Sequence, residues 1–183
     1  MTIRIVTAFA VLLACSAPAR AQTGSAPRVE LFGGYSLLPA NGEDFPRATS
    51  HGVQAGAQWN LSRWFGVFGE VAVQKSTARN LGPSFAGQIA KTTVTQYLWG
   101  PRFSVRGEQV NAFAHGLFGT SIGDAGAGFE GFSDDGPTFG FGGGLDVAIN
   151  RRFAIRGQFD LLGSFADIVE GNTRMFVGGV FRF

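Results

Sequence analysis

The chain has 183 residues, of which 28 are Gly and 19 Phe, and only 15% are charged. It is long enough for one domain with a sizeable core, and its low charge with abundant Gly and Phe suits a protein that meets lipid better than a cytosolic enzyme. Setting aside residues 1–21 leaves 162 residues with 13 basic and 13 acidic side chains, a balance that argues against nucleic acid as a partner.

Residues 1–21 read as an export signal. Arg4 supplies the positive start, Ile5 to Ala14 an apolar run, and Ala19-Arg20-Ala21 a small-x-small cleavage site before Gln22. The apolar run is too short to cross a bilayer as a helix, which needs about 20 residues, and no later stretch comes close. Leu12-Leu13-Ala14-Cys15 resembles a lipoprotein cleavage site, with Cys15 the lipidated residue. We favour cleavage after Ala21, where the site is cleaner; the only cysteine then leaves with the signal, and no disulfide or thiol chemistry remains. Residues 22–27 form a short periplasmic lead, and the rest, 28–183, reads as one unit.

That unit shows period-two segments of about ten residues, the length a tilted strand needs to cross an outer membrane. Eight are expected: Arg28–Leu38, His51–Leu61, Trp64–Gln74, Thr92–Ser104, Val110–Ser121, Thr138–Ile149, Phe153–Leu162 and Thr173–Phe183. The second is the cleanest, with Val53, Ala55, Ala57 and Trp59 alternating with Gln54, Gly56, Gln58 and Asn60. Pro101 is awkward in the fourth because it removes a ladder hydrogen bond, and it fits only near a strand end or a bulge. In the fifth, keeping His115 out of lipid sends Asn111 and Ser121 inward, and Phe113 and Leu117 with them. The connections Asn60–Arg63, Val105–Gln109 and Asn150–Arg152 are short. Pro39–Ser50, Lys75–Lys91, Ile122–Pro137 and Gly163–Asn172 are longer. Short turns on one side and long loops on the other are the outer-membrane pattern, and an even strand count puts both termini on the short-turn, periplasmic side.

Polarity separates a membrane barrel from a soluble one. A closed eight-stranded barrel in water is apolar inside; in lipid the order inverts. One face of nearly every segment is bulky and uncharged. The other carries Gly, Gln, Asn and the in-strand charges: Glu30, Glu70, Asp146 and Asp160 against Arg102, Arg156, Arg174 and Arg182. Four of each sign could pair, with His115 beside them, as a stabilising network. An unpaired Arg facing lipid at mid-depth would cost about 2–4 kcal/mol, so the lumen is the cheap place for these charges. Inward Gly makes room for the long Arg and Gln side chains, and Phe32, Phe68, Leu98 and Phe176 keep the inward face partly apolar. Trp59, Trp64, Phe65, Phe103 and Phe153 gather near the turn side, with Phe181 and Phe183, as an aromatic girdle at the membrane boundary would.

The chain resembles the small outer-membrane β-barrel proteins of the OmpA/OmpX type. The likeness is carried by Val29-Glu30-Leu31-Phe32-Gly33-Gly34-Tyr35-Ser36 and by the end, Phe176-Val177-Gly178-Gly179-Val180-Phe181-Arg182-Phe183. Gly100-Pro101-Arg102-Phe103 and Gly142-Gly143-Gly144-Leu145-Asp146 are similar to stretches of small porin-like proteins. The resemblance implies an all-β, eight-stranded antiparallel up-and-down transmembrane barrel in the cell outer membrane. Phe181 and Phe183 then resemble the signal read by the barrel-insertion machinery. The implied surroundings are outer-membrane lipid and lipopolysaccharide, around a chain expected to be monomeric. The family includes anchors, adhesins, minor pores and enzymes, so it fixes no activity.

A search for chemistry finds little. Lipid A-modifying barrels need an activated Ser or a His beside an acid. Here His51 precedes Gly52-Val53 and His115 precedes Gly116-Leu117, not the His-x-Ser of a deacylase; no spacing asks for a triad from Ser50 or Ser121. Gly126-Ala127-Gly128-Phe129-Glu130-Gly131 matches a dinucleotide fingerprint but lacks the following helix and reads as a flexible loop. Asp124, Glu130, Asp134 and Asp135 share that loop and could attract Ca²⁺, though with no EF-hand spacing. No catalytic residue, metal or cofactor is therefore assigned. The expected role is non-enzymatic: envelope structure, or surface interaction through the long loops with a ligand the residues do not identify. A narrow pore, a lipid A-modifying enzyme and a soluble lipocalin-like carrier remain as alternatives.

Overall fold

The computed structural model describes residues 27–39, 49–79, 89–126, 132–164 and 167–183. The expected export signal over residues 1–21, Cys15 within it, and residues 127–131, Glu130 among them, lie outside the described residues. Eight strands run in chain order: β1 (Val29–Leu38), β2 (Ser50–Asn60), β3 (Phe65–Arg79), β4 (Ile89–Arg106), β5 (Val110–Gly126), β6 (Phe132–Ala148), β7 (Phe153–Ser164) and β8 (Asp167–Arg182). Each pairs antiparallel with its neighbour, and β1 pairs with β8 from Glu30↔Arg182 to Leu37↔Met175, so the sheet closes as an up-and-down barrel. Following partners once round from Val29 returns to β1 about ten residues further along, a stagger that tilts eight strands by about 40° and leaves an interior that side chains can fill.

Alternation decides which side each residue takes. Leu31, Val53, Trp99, Phe141 and Val177 project outward and are exposed, while Glu30, Gln54, Arg102, Asp146 and Arg174 are buried inside. This is the inverted polarity that lipid, not water, selects. A soluble carrier would need the opposite arrangement, so that alternative falls. Phe113, His115 and Leu117 are all buried, which fixes the facing of β5.

The tight turns sit at one end and carry local signals. Ser62 Oγ accepts from the backbone N–H of Phe65 at 3.0 Å, and Asn150 Oδ1 accepts from those of Arg152 and Phe153 at 2.9 and 2.8 Å. Such short side chains mimic a backbone turn. The other end departs from the sequence expectation. Much of the three connections expected over 75–91, 122–137 and 163–172 is strand: β3 and β4 stay paired to Arg79↔Ile89, β5 and β6 to Ala125↔Phe132, and β7 and β8 to Ser164↔Asp167. Asp124 therefore belongs to β5, and Asp134 and Asp135 to β6, rather than to one shared loop, and Gly126 ends β5. Gly, Ser and Asp read as breakers, but a strand outside the bilayer needs only its ladder, not an apolar face. At a rise of about 3.3 Å per residue and a tilt of about 40°, the 18 residues of β4 span about 45 Å, against an apolar band of about 25 Å.

Pro101 sits inside β4, five residues from its end at Arg106, and not at a bulge. Its partner on β3 is Val67, while on the β5 side the ladder skips from Trp99↔Phe118 to Arg102↔His115 in unchanged register. One gap on one side is the whole disturbance, because strand residues bond to each neighbour alternately.

Candidate functional site

Among the described residues the interior concentrates polar side chains, and it is layered. Near the turn end, Glu30 of β1 and Asp146 of β6 face four arginines: Arg102 and Arg106 of β4, Arg156 of β7 and Arg182 of β8. Arg156 donates from Nε to Asp146 Oδ1 at 2.7 Å and from Nη2 to Oδ2 at 3.1 Å. The same Nη2 lies 3.4 Å from Glu30, Arg102 Nη2 lies 3.4 Å from Asp146, and Arg106 Nη1 reaches Glu30 at 3.0 Å. Arg182 is more distant, at 3.8 Å from Glu30 and 3.7 Å from Asp146. Asn111 and Asn60 donate to Asp146 and Glu30 at 3.0 and 3.4 Å. The guanidinium of Arg102 lies 3.4 Å over the Phe113 ring, and that of Arg156 lies between Phe32 and Phe113 at 4.7 and 5.0 Å. A cation over a desolvated ring gains roughly 2 kcal/mol, so the inward phenylalanines hold charge as well as fill space.

Toward the other end, Glu70 of β3 and Asp160 of β7 share a single arginine, Arg174 of β8. Arg174 donates to Asp160 from Nε at 3.0 Å and Nη2 at 2.7 Å, to Gln96 from Nη1 at 3.2 Å, and to Glu70 from Nη2. His115 Nε2 meets Asp160 Oδ1 at 2.7 Å, and Gln158 and Gln54 donate to Asp160 and Glu70 at 3.0 and 2.8 Å. Several of these links join strands that are not neighbours: β8 to β3, β7 to β1, β4 to β1 and β4 to β6. Phe68, Leu98, Leu117 and Phe176 pack with Phe32 as a buried apolar cluster inside the barrel.

The layers are not charge-balanced. The turn-end layer holds four guanidinium groups against two carboxylates, and the other holds one guanidinium and His115 against two. The buried guanidinium nitrogens without a hydrogen-bond partner among the described residues follow this surplus: Arg102 Nε, Arg106 Nη2, Arg156 Nη1 and Arg182 Nε all belong to the turn-end layer, whereas the other unpartnered atoms are amide oxygens of Gln54, Gln58, Gln74 and Asn111 and His115 Nδ1. The pairwise match of four acids with four arginines is thus replaced by an uneven set in which Arg106 is the fifth. The turn expected over Val105–Gln109 includes Arg106, although Arg102, Ser104 and Arg106 continue one period-two face.

Inward glycines make room for rings as well as polar chains: a Cβ on Gly52 would lie 2.8 Å from Gln74 Cγ. A Cβ on Gly144 would lie 2.6 Å from Phe113 Cζ, and one on Gly142 would lie 2.8 Å from His115 Nε2 and meet Asp160 Oδ1 as well. Eight strands leave little radius, so a Cβ on these inward positions would meet the side chains that fill it.

At the turn end Trp59, Trp64, Phe103, Phe153 and Phe183 are exposed on the outer face. Trp64 stacks on Phe103 at 6.1 Å with Phe65 5.3 Å from Phe103, and Phe181 lies edge-on between Phe153 at 4.9 Å and Phe183 at 4.6 Å. His51 is far from any of this: it is exposed on β2 and hydrogen-bonds the Tyr35 hydroxyl. Ser121 bonds Thr138 at 2.7 Å and Gln96 at 3.3 Å rather than a histidine.

A closed eight-stranded sheet with a lipid-compatible outside and an ion-paired inside defines an integral outer-membrane barrel. The family model for the outer membrane protein beta-barrel domain matches residues 7–180, and the chain belongs to that family. Among solved structures, the chain is similar to Ail, the attachment invasion locus protein of Yersinia pestis, in complex with the heparin analogue sucrose octasulfate. The TM-score is 0.63 at 17% identity, covering 86% of this chain and 99% of that one. Neisserial surface protein A matches at TM-score 0.61 and 10% identity, covering 87% and 99%. The outer membrane protein OprG from Pseudomonas aeruginosa matches at 0.55 and 11%, covering 87% and 97%. No curated protein sequence gives a significant match.

Proposed function

We propose that this chain is a non-enzymatic outer-membrane barrel that presents its long-stranded end outside the cell and keeps its turns and both termini in the periplasm. The observation that carries this reading is the pairing of a filled interior with strands prolonged at one end only. Arg174, Asp160, Glu70, Phe176 and Leu117 are buried inside, which disfavours an open pore. His115, the one histidine beside a carboxylate among the described residues, is buried and stacks between Phe68 and Phe113 at 4.9 and 5.6 Å, which disfavours lipid A chemistry. On the same estimate of rise and tilt, the strands of the prolonged β3–β4 and β5–β6 hairpins exceed the apolar band by about 13–20 Å, which suits contact with envelope neighbours or an external partner. In this reading the ion-paired layers stabilise the barrel, and Phe181 and Phe183 guide its insertion.

Orientation is tested with single cysteines. Thr93→Cys lies on β4 toward the long end and Glu108→Cys in the β4–β5 turn. A membrane-impermeant maleimide added to intact cells should label the first and spare the second until the outer membrane is permeabilised. Labelling of the turn alone would invert the orientation and remove the presenting role.

A further inference from the structure

The turn end of the barrel opens into a cavity of about 1070 Å³. Five arginines line it (Arg28, Arg63, Arg106, Arg151 and Arg182), with Glu108 the one acid among the lining side chains. Its floor is the turn-end layer of the interior. Arg106 and Arg182 belong to both, and each keeps most of its side chain out of water, at 14% and 13% exposure. Each also has a nitrogen without a hydrogen-bond acceptor, Nη2 in Arg106 and Nε in Arg182. Arg106 is held in place from both sides, by Glu30 through Nη1 and by the Arg63 carbonyl through Nε at 3.2 Å. Arg102 and Arg156 are fully buried beneath, so Arg106 and Arg182 are the members of the surplus that reach the open mouth, with their unpartnered nitrogens themselves buried.

We propose that this mouth is a binding site for phosphate-bearing anions, with Arg106 and Arg182 at its floor and Arg28 and Arg151 at its rim. The guanidinium fork matches phosphate oxygens two at a time. Two fixed arginines below and further arginines above suit an anion carrying more than one negative charge; Glu108 opposes an anion but stands against five arginines. The volume matches small-molecule sites, which run to about 1,000 Å³, and leaves room for a polar body beside the phosphate. Such a group could come from a phospholipid headgroup of the adjoining leaflet or from a free phosphate ester. Which compartment supplies it rests on the orientation proposed above, whereas the site itself does not.

The test uses the full mature chain. In detergent micelles, tryptophan-monitored melting is followed against sodium pyrophosphate at constant ionic strength. In a parallel arm the chain is placed in phosphatidylcholine nanodiscs with and without phosphatidylglycerol. A midpoint that rises by several degrees and saturates with pyrophosphate, unchanged by matched NaCl, supports a site for free phosphates. A rise only with phosphatidylglycerol supports a headgroup site. Either rise should vanish in Arg106→Gln/Arg182→Gln, and the apparent dissociation constant should rise about tenfold in Arg28→Gln/Arg151→Gln, a rim pair outside the ion-paired layers that leaves folding intact if the floor pair does not. No saturable rise in either arm, or a rise that both double variants retain, overturns the proposal. Labelling in the orientation experiment reports the sidedness separately, so the two readings fail independently.

Discussion

Removing Asp146 is the sharpest perturbation of the interior. Its two oxygens accept four hydrogen bonds, two from Arg156, one from Arg102 and one from Asn111. In Asp146→Leu the four guanidinium groups of that layer face Glu30 alone. Breaking a buried pair by taking one partner costs about 3–5 kcal/mol, because a charge stays buried without its mate. At about 2–4 °C per kcal/mol for a chain of this size, the thermal midpoint should fall by about 10 °C. Arg102→Met should behave differently. Arg102 touches Asp146 only at 3.4 Å, leaves Nε without a partner and belongs to the surplus cations, so its loss relieves repulsion while giving up its place over Phe113. The two effects nearly cancel, and a change within about 1 kcal/mol is expected. The assay is the temperature at which the folded, fast-migrating band converts to the unfolded one in detergent. Wild-type stability in Asp146→Leu, or an equal loss in both variants, would refute the uneven charge layering.

Three further outcomes follow from the same geometry. Gly142→Val should lower the midpoint more than Gly157→Val, since the first pushes a side chain into His115 and Asp160 while a Cβ on Gly157 meets nothing within 4 Å; equal losses would show that strand flexibility, not the His115–Asp160 pair, sets the cost. Trp64→Ala removes the stack on Phe103 and should cost about 1 kcal/mol of stability and slow folding into lipid vesicles, a loss absent if the turn-end aromatics do not sit at the interface. The purified wild-type chain should give no conductance steps in a planar bilayer, because Arg174, Asp160 and Glu70 tie β8, β7 and β3 across the lumen; reproducible steps would make a narrow pore the better reading.

The barrel was legible in the sequence because lipid reverses the usual polarity. Alternation along Val53 to Asn60 or Phe153 to Asp160 could be read without knowing any partner strand. The placing of Arg102, Asp146, Arg156 and Arg174 in the lumen followed from the same alternation. Two things were not legible. Strand continuation past the bilayer, as in Ser133 to Pro137, carries no lipid-facing pattern, and its Gly, Asp and Pro residues imitate a loop. Which charges meet depends on stagger around the closed sheet, which puts Arg106 rather than Arg102 at hydrogen-bonding distance from Glu30 and joins Arg174 to Glu70 across the barrel. No local spacing encodes a stagger summed over eight pairings.

The measurement that goes most directly to the central claim is fractionation of expressing cells, followed by electrophoresis of the outer-membrane fraction with and without boiling. A closed transmembrane barrel should be recovered there and should change mobility on heating, as its ion-paired interior resists detergent until the sheet opens. Recovery in the soluble periplasmic fraction, with no mobility change, would contradict the membrane assignment and the inside-out polarity on which it rests.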